Sequence, residues 1–384
     1  SAPAAGRAPS AASAPPAAPL ASHVDVQSPR LASLARIHHS NLSTVVYRAG
    51  SPVSWDEAAS PIDAGCNLIF VNVPKCASST AGGVVRRIGD HYGLTGVHGT
   101  HWVRTEPGLW AHHGHMEGDA EPPSMRLLAS LQRPVFLLTF VRMPASRCLS
   151  QYYHEKVSRA QLAPTTASKL HALSRCSDVM YDYIAPTRTE PPATLVRTTY
   201  SFVGIVEHFE LSAVLLAAML GVPLRSVLYL PSKNSSAGVA EGRGFTLRAN
   251  PELDHEPHEV REYADGAAFA DENALDLSLH AEATKRLSEL MSADRERLSE
   301  ALHTFQAMRQ QAEVSCSASL ARATREPFDC YWNDNGCGYH CLDARFPAPP
   351  RPFPSSAHHA QFEADGPIQW LARWRASARA GLYR

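Results

Sequence analysis

The chain has 384 residues and carries 36 Lys and Arg against 37 Asp and Glu, a formal net charge of −1. That balance gives no global basic excess for nucleic acid, so an anionic ligand must be met by local basic residues. Apolar residues make up 44%, enough for a large α/β core, and no apolar run approaches the ~20 residues of a membrane-spanning helix.

The first 22 residues are almost all Ala, Pro and Ser. Such a segment cannot bury enough surface to order itself, and it is expected to be a disordered stem. Residues 23–66 show no regular pattern. Leu68 to Val73 is an apolar run that predicts a buried strand, stopped by Pro74-Lys75. A loop of small and polar residues follows, Cys76-Ala77-Ser78-Ser79-Thr80. Val84, Val85 and Ile88 then recur at helical spacing and predict a helix over 79–90. Strand, small-residue turn, helix is the arrangement that aims backbone N–H groups and a helix N-terminus at a phosphate. The nucleotide triphosphatase pattern, glycines followed by Lys-Ser or Lys-Thr, occurs nowhere in the chain.

A His-rich stretch spans 91–118 and contains HYGLTGVHGTHW and LWAHHGHMEG. Beyond a short helical segment, Val135 to Val141 predicts a second buried strand, ending in Arg142. Pro144 suits a first helical turn because its missing N–H costs nothing there. A helix over 144–158 would place Ala145, Cys148, Leu149 and Tyr152 on one apolar face. The polar region 159–197 has poor periodicity and is assigned to the acceptor side. Further on, 202–206 predicts a strand, 207–220 a helix with Leu211, Val214, Leu215 and Ala218 inward, and 227–230 a fourth short strand. Residues 233–270 read as loop-rich and 273–309 as a long amphipathic helical region. Alternating strands and helices imply a parallel β-sheet flanked by helices, an α/β fold.

Four of the eight cysteines crowd the end, with Cys316, Cys330, Cys337 and Cys341 forming a Cys-rich C-terminal extension. Cys337-x-x-x-Cys341 beside His340 could suggest zinc, but structural zinc sites pair two short spacings and only one is short here. Two disulfides among these four are expected to fasten the segment 316–345 to the rest. Cys76 and Cys148 are expected to be small buried fillers.

Pro74-Lys75-x-x-Ser78-Ser79-Thr80 resembles the 5′-phosphosulfate loop of sulfotransferases that use PAPS, the 3′-phosphoadenosine 5′-phosphosulfate donor. Arg142 at a strand end and Ser150 eight residues on have the spacing of that family's 3′-phosphate grip. An arginine suits this because its planar fork binds phosphate oxygens in bidentate fashion. SFVGIVEHFELSAVLL looks like the strand–helix unit of Golgi carbohydrate sulfotransferases. Asn273-Ala-Leu-Asp276 is similar to a late segment of galactose 3-O-sulfotransferases, and His113-Gly-His115 resembles the HGH motif of heparan and uronyl 2-O-sulfotransferases. The likeness covers residues 67–310. It departs from the 2-O enzymes after Pro-Lys, where they carry Thr-Gly and this chain has Cys76-Ala77.

The resemblance implies a P-loop-like sulfotransferase fold over 23–310, followed by the Cys-rich segment 311–345 and a Pro-rich tail, 346–384. It implies transfer of a sulfuryl group from PAPS to a hydroxyl of a glycan or glycolipid, releasing the desulfated product PAP, with no metal and no nucleic acid. Lys75 would be the cation at the leaving oxygen, and Lys75, Cys76, Ala77, Ser78, Ser79, Thr80, Arg142, Ser150 and the basic loop residue Lys233 would hold the donor. His115 would be the general base, with His113 assisting and His98 and His101 as rivals; a neutral histidine near pH 7 can accept the hydroxyl proton. Sulfation of a non-carbohydrate small molecule, an inactive nucleotide-binding relative and a kinase-like phosphoryl transferase are the alternatives. The stem, with two sequons at Asn41 and Asn234, leads to the expectation of a Golgi-lumen protein held by an anchor preceding residue 1.

Overall fold

A computed structural model describes residues 67–98, 109–112, 135–185, 189–230, 240–242, 245–247, 250–323 and 338–347. Among these, β1 (Asn67–Val71), β2 (Thr95–His98), β3 (Leu109–His112), β4 (Val135–Val141) and β5 (Phe202–Ile205) form one five-stranded sheet in the order β2-β3-β1-β4-β5. Every neighbouring pair is parallel. Leu68, Ile69 and Phe70 of β1 have no exposed surface, and all four residues of β5 are buried. A parallel strand buried on both faces reads as a continuous apolar run, which is why β1, β4 and β5 stand out in the sequence. The one polar residue inside β4 is satisfied, since Thr139 Oγ1 donates to the Val71 carbonyl at 2.8 Å.

Helix α1 (Ser78–His91) leaves β1 and packs against β1, β2 and β3. Helix α2 (Pro144–Tyr152) follows β4, with Pro144 in its first turn. The expected helix 144–158 is not one α-helix: from Tyr153 to Arg159 it widens into a π-helical segment that buries Tyr153 and Val157. Helices α3 (Thr166–Leu173) and α4 (Val179–Ile184) fall in the region of poor periodicity. Helix α5 (Phe209–Leu220) follows β5 and ends on Gly221, whose φ of 64° suits a residue without Cβ.

Several expectations need correction. Residues 227–230 form no strand. Leu224–Val227 is a 3₁₀ turn packed between α1 and α5. Val227, Leu228 and Leu230 are apolar because they are buried, without any ladder pairing. The loop-rich region 233–270 contains an antiparallel hairpin, β6 (Ala240–Gly242) with β7 (Phe245–Leu247), and helices α6 (His258–Ala264) and α7 (Ala267–Glu272, running just past its end). The long helical region is two helices, α8 (Ala274–Ala293) and α9 (Arg295–Ala323).

The segment 338–347 folds back onto α1. A disulfide joins Cys316 on α9 to Cys341 on α10 (Tyr339–Arg345), as expected for this segment; Cys330 and Cys337 lie outside the described residues. Arg87 of α1 is 1% exposed, and its guanidinium gathers the whole junction. Nε donates to Asp343 Oδ1 at 2.7 Å, Nη2 to the carbonyls of Phe346 at 2.7 Å and Leu342 at 3.4 Å, and Nη1 to those of Arg225 and Leu228. His91 adds contacts to Ser226 Oγ at 3.0 Å and Asp343 at 3.3 Å.

Candidate functional site

In the sheet order, β1 lies between β3 and β4. The chain leaves β1 toward β2 on one side and later crosses to β4 on the other. The connections after β1 and β4 therefore run to opposite sides, and the crevice between such loops is the usual place for a ligand in an open α/β sheet. The two segments singled out from the sequence, 74–80 and 142–150, are these two loops with the starts of their helices.

The loop after β1 has an unusual backbone. Lys75 has φ 67° and Ala77 φ 55°, both left-handed, while Cys76 between them does not. The Cys76 N–H donates to the Val73 carbonyl at 3.2 Å and closes the turn. Alternation of hand along consecutive residues turns backbone N–H groups to one side and makes an anion-binding concavity. Left-handed conformations strain residues with a Cβ, and such strain concentrates at functional sites. Helix α1 begins immediately afterwards. Its N-cap residue, Ala77, offers no side-chain cap and its first turn holds no acidic residue, so no carboxylate of the helix itself offsets the positive end of its dipole at the loop. Ser78 and Ser79 are buried there, and Lys75 and Thr80 are half-buried. Cys76 is a free, buried cysteine. Burial pushes its thiol up to about 12, against the nearby charges of Arg147 and Arg142, so it stays a neutral filler.

Arg142 comes from the end of β4 and reaches across. Its Nη1 donates to the Lys75 carbonyl at 3.4 Å, so the two phosphate-binding candidates meet over the crevice. The backbone at this point is pinned from two sides. The Arg142 N–H points to Met180 Sδ at 3.3 Å, and the Met143 N–H donates to Glu207 Oε1 at 2.9 Å. Glu207 Oε2 lies 3.3 Å from His280 Nε2 on α8. Burial opposes ionisation of Glu207, but the hydrogen bonds from His280 and the Met143 backbone outweigh it and hold its pKa below the usual value. Ser150 sits later on α2, half-buried.

Three supporting features escaped the sequence reading. Cys148 is not a simple filler: it is disulfide-bonded to Cys176, which ties α2 to the chain entering α4. Next to it Arg147 is 1% exposed, with Nη1 on Gln151 Oε1 at 2.8 Å and Nη2 on Cys176 Sγ at 2.7 Å. Burial lowers its pKa, while the charge of Asp276 acts to raise it. Asp276 and Asp178 cap each other's helices. Asp276 accepts from the N–H groups of Tyr181 at 2.7 Å and Met180 at 3.1 Å, and Asp178 accepts from those of Leu275 and Asp276 at 3.0 Å. Asn273 Nδ2 donates to the Cys176 carbonyl at 2.9 Å. The Asn273–Asp276 motif, noticed in the sequence only as a likeness, thus anchors the strip 176–181 that backs Arg142.

Strand β3 ends at His112, in register with Phe70 of β1, at the same carboxyl edge as the Lys75 loop. His101, His113, His115 and Lys233 lie outside the described residues, and His98 ends β2 opposite His112. Among the described residues, the group with metal-ligand geometry is Glu252, Asp254 and His255, all exposed. Compared with protein-family models, curated proteins and solved structures, the chain matches none.

Proposed function

We propose that the protein transfers a sulfuryl group from PAPS to a hydroxyl of a glycan or glycolipid. The observation that carries the reading is the meeting of two candidate anion-binding elements: the loop 75–77, left-handed at Lys75 and Ala77, at the start of α1, and Arg142 reaching the Lys75 carbonyl from β4. A donor with phosphate groups at both the 3′ and the 5′ positions of its ribose needs two such grips, one for each.

In this reading the loop 75–80 holds the 5′-phosphosulfate and Arg142 with Ser150 holds the 3′-phosphate. The acceptor oxygen attacks sulfur in line. Its bond to sulfur forms as the bond from sulfur to the bridging oxygen breaks, and the electron pair stays on the departing phosphate. The Lys75 ammonium stabilises that developing charge, and the start of α1 adds to it. His115 takes the acceptor proton, with His113 assisting. Donor affinity would come from the 3′-phosphate grip, and rate from Lys75 and His115, which act on atoms whose charge changes. The disulfides Cys148–Cys176 and Cys316–Cys341 suit an oxidising compartment such as the Golgi lumen.

Radiolabelled PAPS incubated with panels of glycan, glycolipid and small-molecule hydroxyl acceptors tests the activity. Transfer of label to a carbohydrate supports the reading. Transfer only to small phenols or alcohols shifts the acceptor class, and PAP binding without transfer to any acceptor points to an inactive relative. Transfer of phosphate from MgATP in place of sulfate from PAPS refutes it.

A further inference from the structure

We infer that Glu207 is a positioning residue for Arg142, holding the arginine over the crevice without touching the donor. The inference rests on the PAPS reading of that crevice. Its basis is where the β4–β5 ladder stops. The last paired residues are Val141 and Ile205. Past them the two chains separate, and the backbone of Arg142, Met143 and Pro144 loses its ladder partners. Pro144 has no N–H. Among the described residues the Arg142 N–H has only Met180 Sδ, a weak acceptor. The Met143 N–H has the Glu207 carboxylate at 2.9 Å. Glu207 lies two residues beyond Ile205, so it supplies from its side chain the bond the ladder no longer gives. It is the strong acceptor fixing the peptide between Arg142 and Met143.

The carboxylate is itself held. His280 of α8 lies 3.3 Å from its other oxygen, so rotation of the carboxyl is restricted and the β5 turn, α8 and the end of β4 are tied at one point. Glu207 also stands at the start of α2, where Met143 offers no side-chain cap and a negative charge is favoured by the helix dipole. A carboxylate near a phosphate grip repels the phosphate. Its presence is explained by geometry, since its charge works against the ligand while its oxygen places the guanidinium that binds it. These two effects separate in the variants: Glu207→Gln keeps an oxygen for Met143 and removes the charge, whereas Glu207→Ala removes both.

Calorimetric titration with PAP and with adenosine 5′-phosphate, which lacks the 3′-phosphate, tests this on wild type, Glu207→Ala and Glu207→Gln. Glu207→Ala should bind PAP roughly tenfold or more weakly, the scale of one lost hydrogen bond to a charged group. Its affinity for adenosine 5′-phosphate should stay within about twofold of wild type, because the loss falls on the 3′-phosphate grip. Glu207→Gln should bind PAP as tightly as wild type or more tightly. The inference is overturned if Glu207→Ala binds PAP like wild type, if it loses both ligands equally, or if Glu207→Gln falls as far as Glu207→Ala. Wild-type protein that binds no PAP overturns the donor reading itself, and this inference with it.

Discussion

Removing Asp343 and removing Arg87 should cost different amounts, because the two partners sit in different surroundings. Arg87 is 1% exposed and makes five contacts, four of them to backbone carbonyls. Asp343→Ala leaves those four in place and deletes one charge-assisted bond of 2.7 Å plus the His91 contact. The expected loss is about 1.5–3 kcal/mol. Arg87→Met keeps the apolar stem but leaves buried carbonyls without their donor, and should cost about 3–5 kcal/mol. Asp343, whose side chain is 37% exposed, is rehydrated in that variant and adds little. Urea unfolding at pH 7, with the m-value monitored, measures both losses. Burial opposes ionisation of Asp343, yet hydrogen bonds from His91 and Arg87 hold its pKa at about 2. Its contribution is therefore complete above the unfolded value near 4 and is lost as pH falls toward 2, so the gap between wild type and Asp343→Ala should close over that range. Equal losses from the two variants, or less than about 1 kcal/mol from Arg87→Met, would refute the view that this guanidinium clamps the C-terminal segment to α1.

Further outcomes follow from the site. Arg142→Ala should weaken PAP binding by roughly 1.5–3 kcal/mol with modest change in turnover once saturated, while Lys75→Ala should lower turnover more than affinity; equal affinity losses with unchanged turnover in both would remove Lys75 from the chemistry. His115→Ala should lower turnover by about 10²–10⁴ and abolish the ascending limb of the pH profile while PAP still binds. A larger loss in His98→Ala or His101→Ala would move the base to that residue. Burial raises the Asp276 pKa to about 6, against the hydrogen bonds from Tyr181 and Met180. Stability tied to its protonated form is thus complete below the unfolded value near 4 and is lost as pH rises through about 6. The stability of Asp276→Asn relative to wild type should improve across that window, and a pH-independent difference would contradict the assignment.

What could be read from the sequence was whatever burial writes as an uninterrupted pattern. β1, β4 and β5 are covered on both faces, and α1 and α5 keep their apolar spacing, so these elements and the two loops they carry were visible. β2 and β3 were not, because each is four residues long and lies in a His-rich stretch without an apolar run. The segment 227–230 misled in the opposite sense, since an apolar run reports burial and says nothing about pairing. Cys148 read as a filler because its partner Cys176, 28 residues away, lies in a polar stretch with no periodicity to place it. The roles of Glu207, Asp276 and Arg147 depend on contacts between distant elements. No local spacing encodes them, although the Asn273–Asp276 motif marked the right place.

The most direct test is titration of the purified protein with PAP, followed by calorimetry and by thermal unfolding. The account predicts saturable binding, a rise in melting temperature that grows with PAP concentration, and a shift of both to higher PAP concentration in Arg142→Ala. No binding heat and no thermal shift at millimolar PAP would contradict it.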